Sequence, residues 1–388
     1  MTVIWEPQLD STSLQWQEKA KVLTDQYFAP AADAIDRDQR YPIEHLTPLL
    51  ESGVSGMFIP AEYGGGGSTL TALVSAVETI AQGCGSTAAI MAALSLGAFP
   101  VLLGGSESHK QALLGGLARK GEAVNFALSE RNAGSDAASI EAVAVRENNG
   151  WRIHGEKCWL GNGGHSEHFI VFARTGEPGA RNNISAFWVP RNTPGAVVDF
   201  YEDKMGIRGT TTTNLKLDVW VPEANVLGEK GRGLRLALST LNVGRVVVAA
   251  QALGIALCSY QEAVRFANSR KTFGRPIIEH QGIGFMLADA ATRLSAARMM
   301  LYETARAYDE SQDISTLGAM TKLFASEVAH DVCDDAMQIL GGRGYVKPNV
   351  VERCYRDQRI TELYEGTSEI QRLVIARSVQ RESQSIAG

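Results

Sequence analysis

The segment Tyr364-Glu365-Gly366-Thr367-Ser368-Glu369-Ile370-Gln371 places a carboxylate beside a glycine, just ahead of residues that start helices. Ser368 and Gln371 have capping-box spacing, so a helix is expected to begin at Ser368. A carboxylate on the loop before it, next to a residue without Cβ, can be aimed freely and can serve as a general base. The ordinary alternative is an acid favoured by the positive end of the helix. Other segments also mix polar, glycine and aromatic residues. In Phe126 to Asp136, Gly134 and Ser135 let backbone N–H groups and a hydroxyl reach a polar ligand, unless the stretch is only a capped loop. Trp159 beside Gly161 can cover an aromatic cofactor, although such a Trp is more often core. Asn242-Val243-Gly244-Arg245 sets an arginine in a very apolar run. It must find a carboxylate, line a cavity or snorkel to the surface. Arg270 to Pro276, followed by Gln281, suits phosphate contact or is a solvated basic turn. Gln338 to Tyr345, with Gly341, Gly342 and Gly344, is either a helix C-cap or a place where backbone approaches a ligand closely.

Three regions of different periodicity must position these residues. Residues 1–120 are helical in character, with Ala72 to Ala81 and Ala88 to Leu103 separated by glycine-rich turns. Residues 121–230 change to period two. Ala142 to Val145 and Trp151 to Ile153 flank Asn149-Gly150, a hairpin signal, and Leu215, Leu217, Val219 and Val221 alternate with other residues. Phe169 to Ala173 and Ile184 to Val189 read as short apolar strands, which together predict a small sandwich or barrel. Residues 231–388 return to helical spacing, with long helices over Gly233 to Ser269, Gln281 to Glu310, Ile314 to Leu340 and Ser368 to Gln380, the pattern of a four-helix bundle. The fold class is therefore α+β: an N-terminal helical domain (1–120), a middle β-sandwich or barrel domain (121–230) and a C-terminal four-helix bundle (231–388). Strand–helix alternation with a glycine fingerprint is missing, which disfavours a nicotinamide dehydrogenase.

The bulk numbers exclude several classes. With 388 residues, 45% of them apolar, the chain can bury a large core in two or three domains. A net charge of −6 and 7% aromatic residues argue against a nucleic-acid partner. The five cysteines are scattered without ligand spacing, as are the histidines, so no metal is expected and the cysteines read as cytosolic thiols. The N-terminus has neither signal-peptide nor transit-peptide pattern, and the longest apolar stretches, such as Val246 to Leu257, look too short and too rich in Ala and Gly to span a bilayer. A soluble cytoplasmic protein without a membrane partner is expected.

Taken together, the order and spacing of these segments resemble the acyl-CoA dehydrogenase family over nearly the whole chain, closest to its short-chain, butyryl-type branch. Ile360 to Leu373 is the most specific match, followed by Gln338 to Gly342 and Arg270-x-x-Phe273-Gly274; Ser129 to Asp136 is looser. The resemblance implies an enzyme acting on CH–CH donors, bound FAD and a homotetramer built as a dimer of dimers. It implies that Phe126, Leu128, Ser129, Gly134, Ser135, Trp159 and Gly161 line the flavin. Arg270, Phe273 and Gln281, with Gln338, Gly341 and Gly342 of a neighbouring subunit, would hold the pyrophosphate and adenosine end, and Thr367 and Glu369 would also touch FAD. Ser135, Asn242, Arg245, Tyr364 and Gly366 would contact the acyl-pantetheine.

Glu365 would then be the base. An α-C–H beside a thioester is weakly acidic, so its removal needs a positioned base and stabilisation of the enolate oxygen. The family implies that the Glu365 N–H and an FAD ribityl hydroxyl bind the carbonyl, and that flavin N5 accepts the β-hydride to give a trans-2-enoyl thioester. Some members carry the base near Arg245 instead; here that position is Gly244. Three departures stand out: Gly161 replaces a Thr or Ser, Arg131-Asn132 replaces Pro-Gly, and Asn242 replaces an Asp. They point to an alternative, a dehydrogenase or oxidase of an acyl- or aminoacyl-carrier-protein thioester in secondary metabolism. The acceptor would be an electron-transfer flavoprotein or O₂. A flavin monooxygenase or nitroalkane oxidase of the same fold would normally lack this Glu.

Overall fold

The computed structural model describes residues 3–177, 179, 180 and 182–387. The first helices are α1 (Ser11–Leu23), α2 (Ala29–Asp38), α3 (Ile43–Glu51), α4 (Leu70–Gly83), α5 (Gly85–Gly104), α6 (Glu107–His109) and α7 (Gly115–Lys120). Thr69 caps α4 by accepting from the Ala72 N–H at 3.2 Å. The α5 sequence, rich in Ala and Leu and nearly free of polar side chains, has no solvent face, and most of the helix is buried.

Strands follow: β1 (Val124–Ala127), β2 (Val143–Glu147), β3 (Gly150–Gly161), β4 (His168–Arg174), β5 (Ile184–Pro190), β6 (Ala196–Tyr201), β7 (Thr212–Pro222) and β8 (Val226–Leu227). They are ordered β6-β7-β3-β2-β4-β5-β8, with β1 parallel to β4. The two halves meet edge to edge only where Val143 faces Arg174. They close on a common core of Trp151, Ile153, Phe169, Val171, Phe187, Leu215 and Val219, which makes the sheet a sandwich. The β2–β3 hairpin departs from expectation by one residue. Glu147 pairs with Gly150, so the turn is Asn148-Asn149, and Asn148 takes the left-handed φ of 55°. Gly150 belongs to the strand, because a Cβ there would lie 2.3 Å from the Val221 carbonyl oxygen.

The second helical region holds α8 (Gly233–Ser269), the hairpin β9 (Lys271–Thr272) and β10 (Arg275–Pro276), α9 (Gln281–Asp309), α10 (Ser315–Leu340), α11 (Gly342–Tyr345), α12 (Val350–Gln358) and α13 (Ser368–Ala387). Helix α8 packs against α4, α5, α9, α10 and α12, and α13 packs on α10. Helices of both ends of the chain thus share one core. The expectation that no segment is long enough to span a bilayer needs correction: α5 and α8 pass by length and composition. Their most apolar windows, however, are 72% and 83% buried inside the protein.

Candidate active site

Glu365 and Gly366 both adopt left-handed backbone, with φ of 56° and 91°. For a glutamate this costs on the order of 1 kcal/mol or more and persists only if the surroundings impose it. Helices from three directions do so. From α13, the buried Gln371 donates through Nε2 to the Gly366 carbonyl at 2.7 Å and to the Glu365 carbonyl at 3.2 Å. From α10, Lys322 Nζ donates to the same Gly366 carbonyl at 2.7 Å. From α8, Gln251 accepts the Tyr364 hydroxyl through Oε1. The helix start differs from the capping box read in the sequence. Thr367, not Ser368, is the cap, accepting from the Ile370 N–H at 3.4 Å, while Gln371 clamps the loop carbonyls instead of returning to a cap N–H.

The clamp aims the carboxylate at α8. An ideal Cβ on Gly244 would lie 2.7 Å from Glu365 Oε2 and 3.2 Å from Leu96 Cδ1. A larger residue at 244 would displace the carboxylate from this position. Oε2 is shut off from solvent and has no hydrogen-bond partner. Arg245 does not snorkel: it is buried, donates from Nη1 to Asn242 Oδ1 at 3.0 Å and has an unpartnered Nε. Burial pushes the Glu365 carboxyl up to about 7, against the opposing pull of Arg245 and Lys322. Burial likewise pushes the Lys322 ammonium down to about 8.

Helix α5 joins this acid to the sheet. A Cβ on Gly97 would fall 1.7 Å from the Val124 carbonyl oxygen, so α5 and β1 are in backbone contact. Ala93 and Leu96 are half-exposed positions in a mostly buried helix. Leu96 borders Gly244, and Ala93 borders Gly161: among the described residues, a Cβ added at Gly161 would meet Ala93 Cβ alone, at 3.8 Å. Beside this space a register shift between Lys157 and Leu160 turns Trp159 outward, with φ of 58° and 50% exposure. Trp159 is therefore not core. Phe126 lies half-buried against Phe172, ring centroids 5.0 Å apart. Leu128 to Glu130 are tied to β3. Buried Lys157 donates to the Leu128 carbonyl at 3.0 Å and to Glu130 Oε1 at 2.6 Å, and the Cys158 N–H donates to the Ser129 carbonyl at 2.9 Å. Beyond that anchor Gly134 and Ser135 are exposed.

The remaining expected residues lie elsewhere. Arg270, Phe273 (96% exposed), Gln281, Gln338, Gly341 and Gly342 all face solvent around a small separate core containing Ala267, Ile277, Leu287 and Ile339. Roughly 38 Å of α8 separates Gly244 from Ser269, at ~1.5 Å per residue. The two groups of expected residues therefore lie far apart within one chain. Sequence reasoning missed Lys322 and Gln251. The available signals were a lysine among buried positions of α10, and a glutamine two turns beyond Gly244 on the same face of α8.

Family models of the acyl-CoA dehydrogenase N-terminal, middle and C-terminal domains match residues 11–121, 125–219 and 231–380. The chain belongs to the acyl-CoA dehydrogenase family. An acyl-CoA dehydrogenase of Bacillus subtilis is 40% identical, over 90% of this chain and 93% of its own. Among solved structures, the butyryl-CoA dehydrogenase of Megasphaera elsdenii is similar at 34% identity with a TM-score of 0.94, covering 97% of this chain and 100% of its own. The prolyl acyl carrier protein oxidase AnaB is similar at 29% identity with a TM-score of 0.92, covering 96% and 100%. Within this acyl-CoA dehydrogenase fold, the Glu365 loop and the Gly161 space border the same turn of α5.

Proposed function

We propose that this protein is an FAD-dependent dehydrogenase of acyl thioesters, with acyl-CoA as substrate and Glu365 as the base. The observation that carries it is the solvent-shielded, unpartnered Oε2 of Glu365, held against Gly244 with two cations nearby. Such an oxygen is free to accept a proton, and burial brings its affinity for one near neutral pH. The residues fit a flavin: Gly161 leaves open room facing Ala93, and Trp159 stands exposed beside it. Phe126, Leu128, Ser129, Gly134 and Ser135 would supply the adjoining edge. Thr367 and Glu369 would complete that edge from α13. Bound FAD supplies the acceptor for the substrate's β-hydride. Glu365 removes the α-proton, while its N–H, held by the clamped loop, is available to polarise the thioester carbonyl. Tyr364, Gly366, Asn242, Arg245 and Ser135 would contact the acyl-pantetheine.

Because the exposed half-site at Arg270, Phe273 and Gln281 cannot reach Glu365 within one chain, we infer that it serves a neighbouring copy, with Gln338, Gly341 and Gly342, in a homotetramer. Electrons would pass to an electron-transfer flavoprotein. The test is anaerobic mixing of the FAD-loaded protein with acyl-CoAs. Flavin absorbance should bleach, and Glu365→Gln should retain FAD while bleaching on the order of 10²- to 10⁴-fold more slowly. Normal bleaching in that variant would reassign the base.

A second reading is favoured by Asn242, a neutral partner of Arg245, and by the empty room at Gly161. It makes the substrate a carrier-protein thioester and O₂ the acceptor. Bleaching by an acyl-loaded carrier protein, with acyl-CoA inert, would decide for it. Gly161→Thr should then slow re-oxidation by O₂.

A further inference from the structure

Of the groups that clamp the Glu365–Gly366 turn, one is charged. Lys322 lies wholly buried on α10. Among the described residues no carboxylate stands within salt-bridge distance of it; its bond is to the Gly366 carbonyl oxygen at 2.7 Å. A buried ammonium is costly to keep without compensation. Two features offset that cost: the bond to the loop, and the electrostatic attraction of Glu365. Around Glu365, α8 presents Arg245, α10 presents Lys322, and α5 presents uncharged Leu96. Glu362, ahead of the loop, and Glu369, in the first turn of α13, are further acids whose field reaches Lys322. Arg245 donates to Asn242, whereas Lys322 grips the backbone carrying the acid.

We propose that Lys322 is a positioning residue for Glu365: its ammonium fixes the Gly366 carbonyl, and with it the left-handed turn that aims the carboxylate, while its charge favours the carboxylate form. The inference rests on the role of Glu365 given above. Two effects follow from one side chain. Losing the bond loosens the turn and misplaces the base. Losing the charge makes Glu365 harder to ionise.

The experiment uses the FAD-loaded protein with Lys322→Met and Lys322→Gln. The carboxylic-acid C=O infrared band of Glu365, identified as the one absent in Glu365→Gln, is titrated in each. The midpoint should lie near 7 in the parent and rise by roughly one unit in both variants. The maximal rate of flavin bleaching by acyl-CoA should fall on the order of tenfold in Lys322→Met. A variant that melts earlier but keeps the parent midpoint and rate gives Lys322 a merely structural role and overturns the proposal. If neither variant retains FAD, the same band is titrated in the apoproteins, where an unshifted midpoint overturns it equally. The infrared midpoint needs no substrate, so failure here is distinguishable from failure of the base assignment, which shows as bleaching that survives Glu365→Gln.

Discussion

At the residue scale, Glu365 has a raised proton affinity and a conformation that only its neighbours maintain. Its carboxyl sits near 7 against an ordinary 4.5, with burial the leading cause. The folded protein holds this proton more tightly than the unfolded chain. The group's contribution to stability is therefore lost as pH rises from about 4.5 through 7. Glu365→Gln keeps the shape without the charge, so it should melt close to the parent at pH 5 and above it at pH 8, as scanning calorimetry would read. In the parent, flavin reduction should climb through about pH 7 and level off above it, because only the carboxylate accepts the proton. A rate independent of pH between 5.5 and 8.5 would contradict both the shift and the role.

At the element scale, α5 is the part that brings sheet and helices to one place. Its small residues permit this: Gly97 lies against the Val124 carbonyl of β1, while Leu96 and Ala93 border the Glu365 side and the Gly161 side. Gly97→Ala would put a methyl carbon 1.7 Å from a backbone oxygen that cannot rotate away, so helix and strand must separate. We expect a loss of about 1–3 kcal/mol of stability, together with weakened FAD retention. Denaturant unfolding and flavin release during gel filtration measure the two. The β3 irregularity that exposes Trp159 acts in the same way, since a regular strand would have alternated that ring differently.

At the scale of the whole molecule, the N-terminal and C-terminal helices are locked by a buried charge network. Arg298 of α9 donates from Nε to Glu78 Oε1 of α4 at 2.8 Å, and Tyr302 donates to Glu78 Oε2 at 2.8 Å. Glu78→Ala would leave the buried guanidinium of Arg298 to the half-exposed Glu6 and the Trp5 carbonyl and should cost about 3 kcal/mol, seen as a melting temperature lower by several degrees. The pair Glu78→Leu with Arg298→Met should restore much of that loss, because apolar replacement removes both buried charges together and Glu6 is half-exposed to water. If the double variant melts as low as the single one, the network's value is packing and not charge.

Much of this protein was legible in its sequence. Local composition and spacing located α4, α5, α8, α9 and α10 and the strands β2, β3, β4, β5 and β7, because apolar content and period are local properties; β1, β6 and β8 emerged only in the folded sheet. The motif around Glu365, and the glycine at 244, were legible for the same reason: each depends on residue type at fixed spacing. Tertiary structure decided what depends on distant neighbours. It turned the hairpin at Asn148-Asn149, since cross-strand contact with Val221 requires Gly150 in the strand. It moved the α13 cap to Thr367, because Gln371 has loop carbonyls to hold. It buried Arg245, and it raised the proton affinity of Glu365 where a helix start alone would lower it, because desolvation is set by what packs around a group and not by its place in the chain. Lys322 reaches Gly366 across 44 residues of sequence, a juxtaposition that only the packing of α10 against the loop creates.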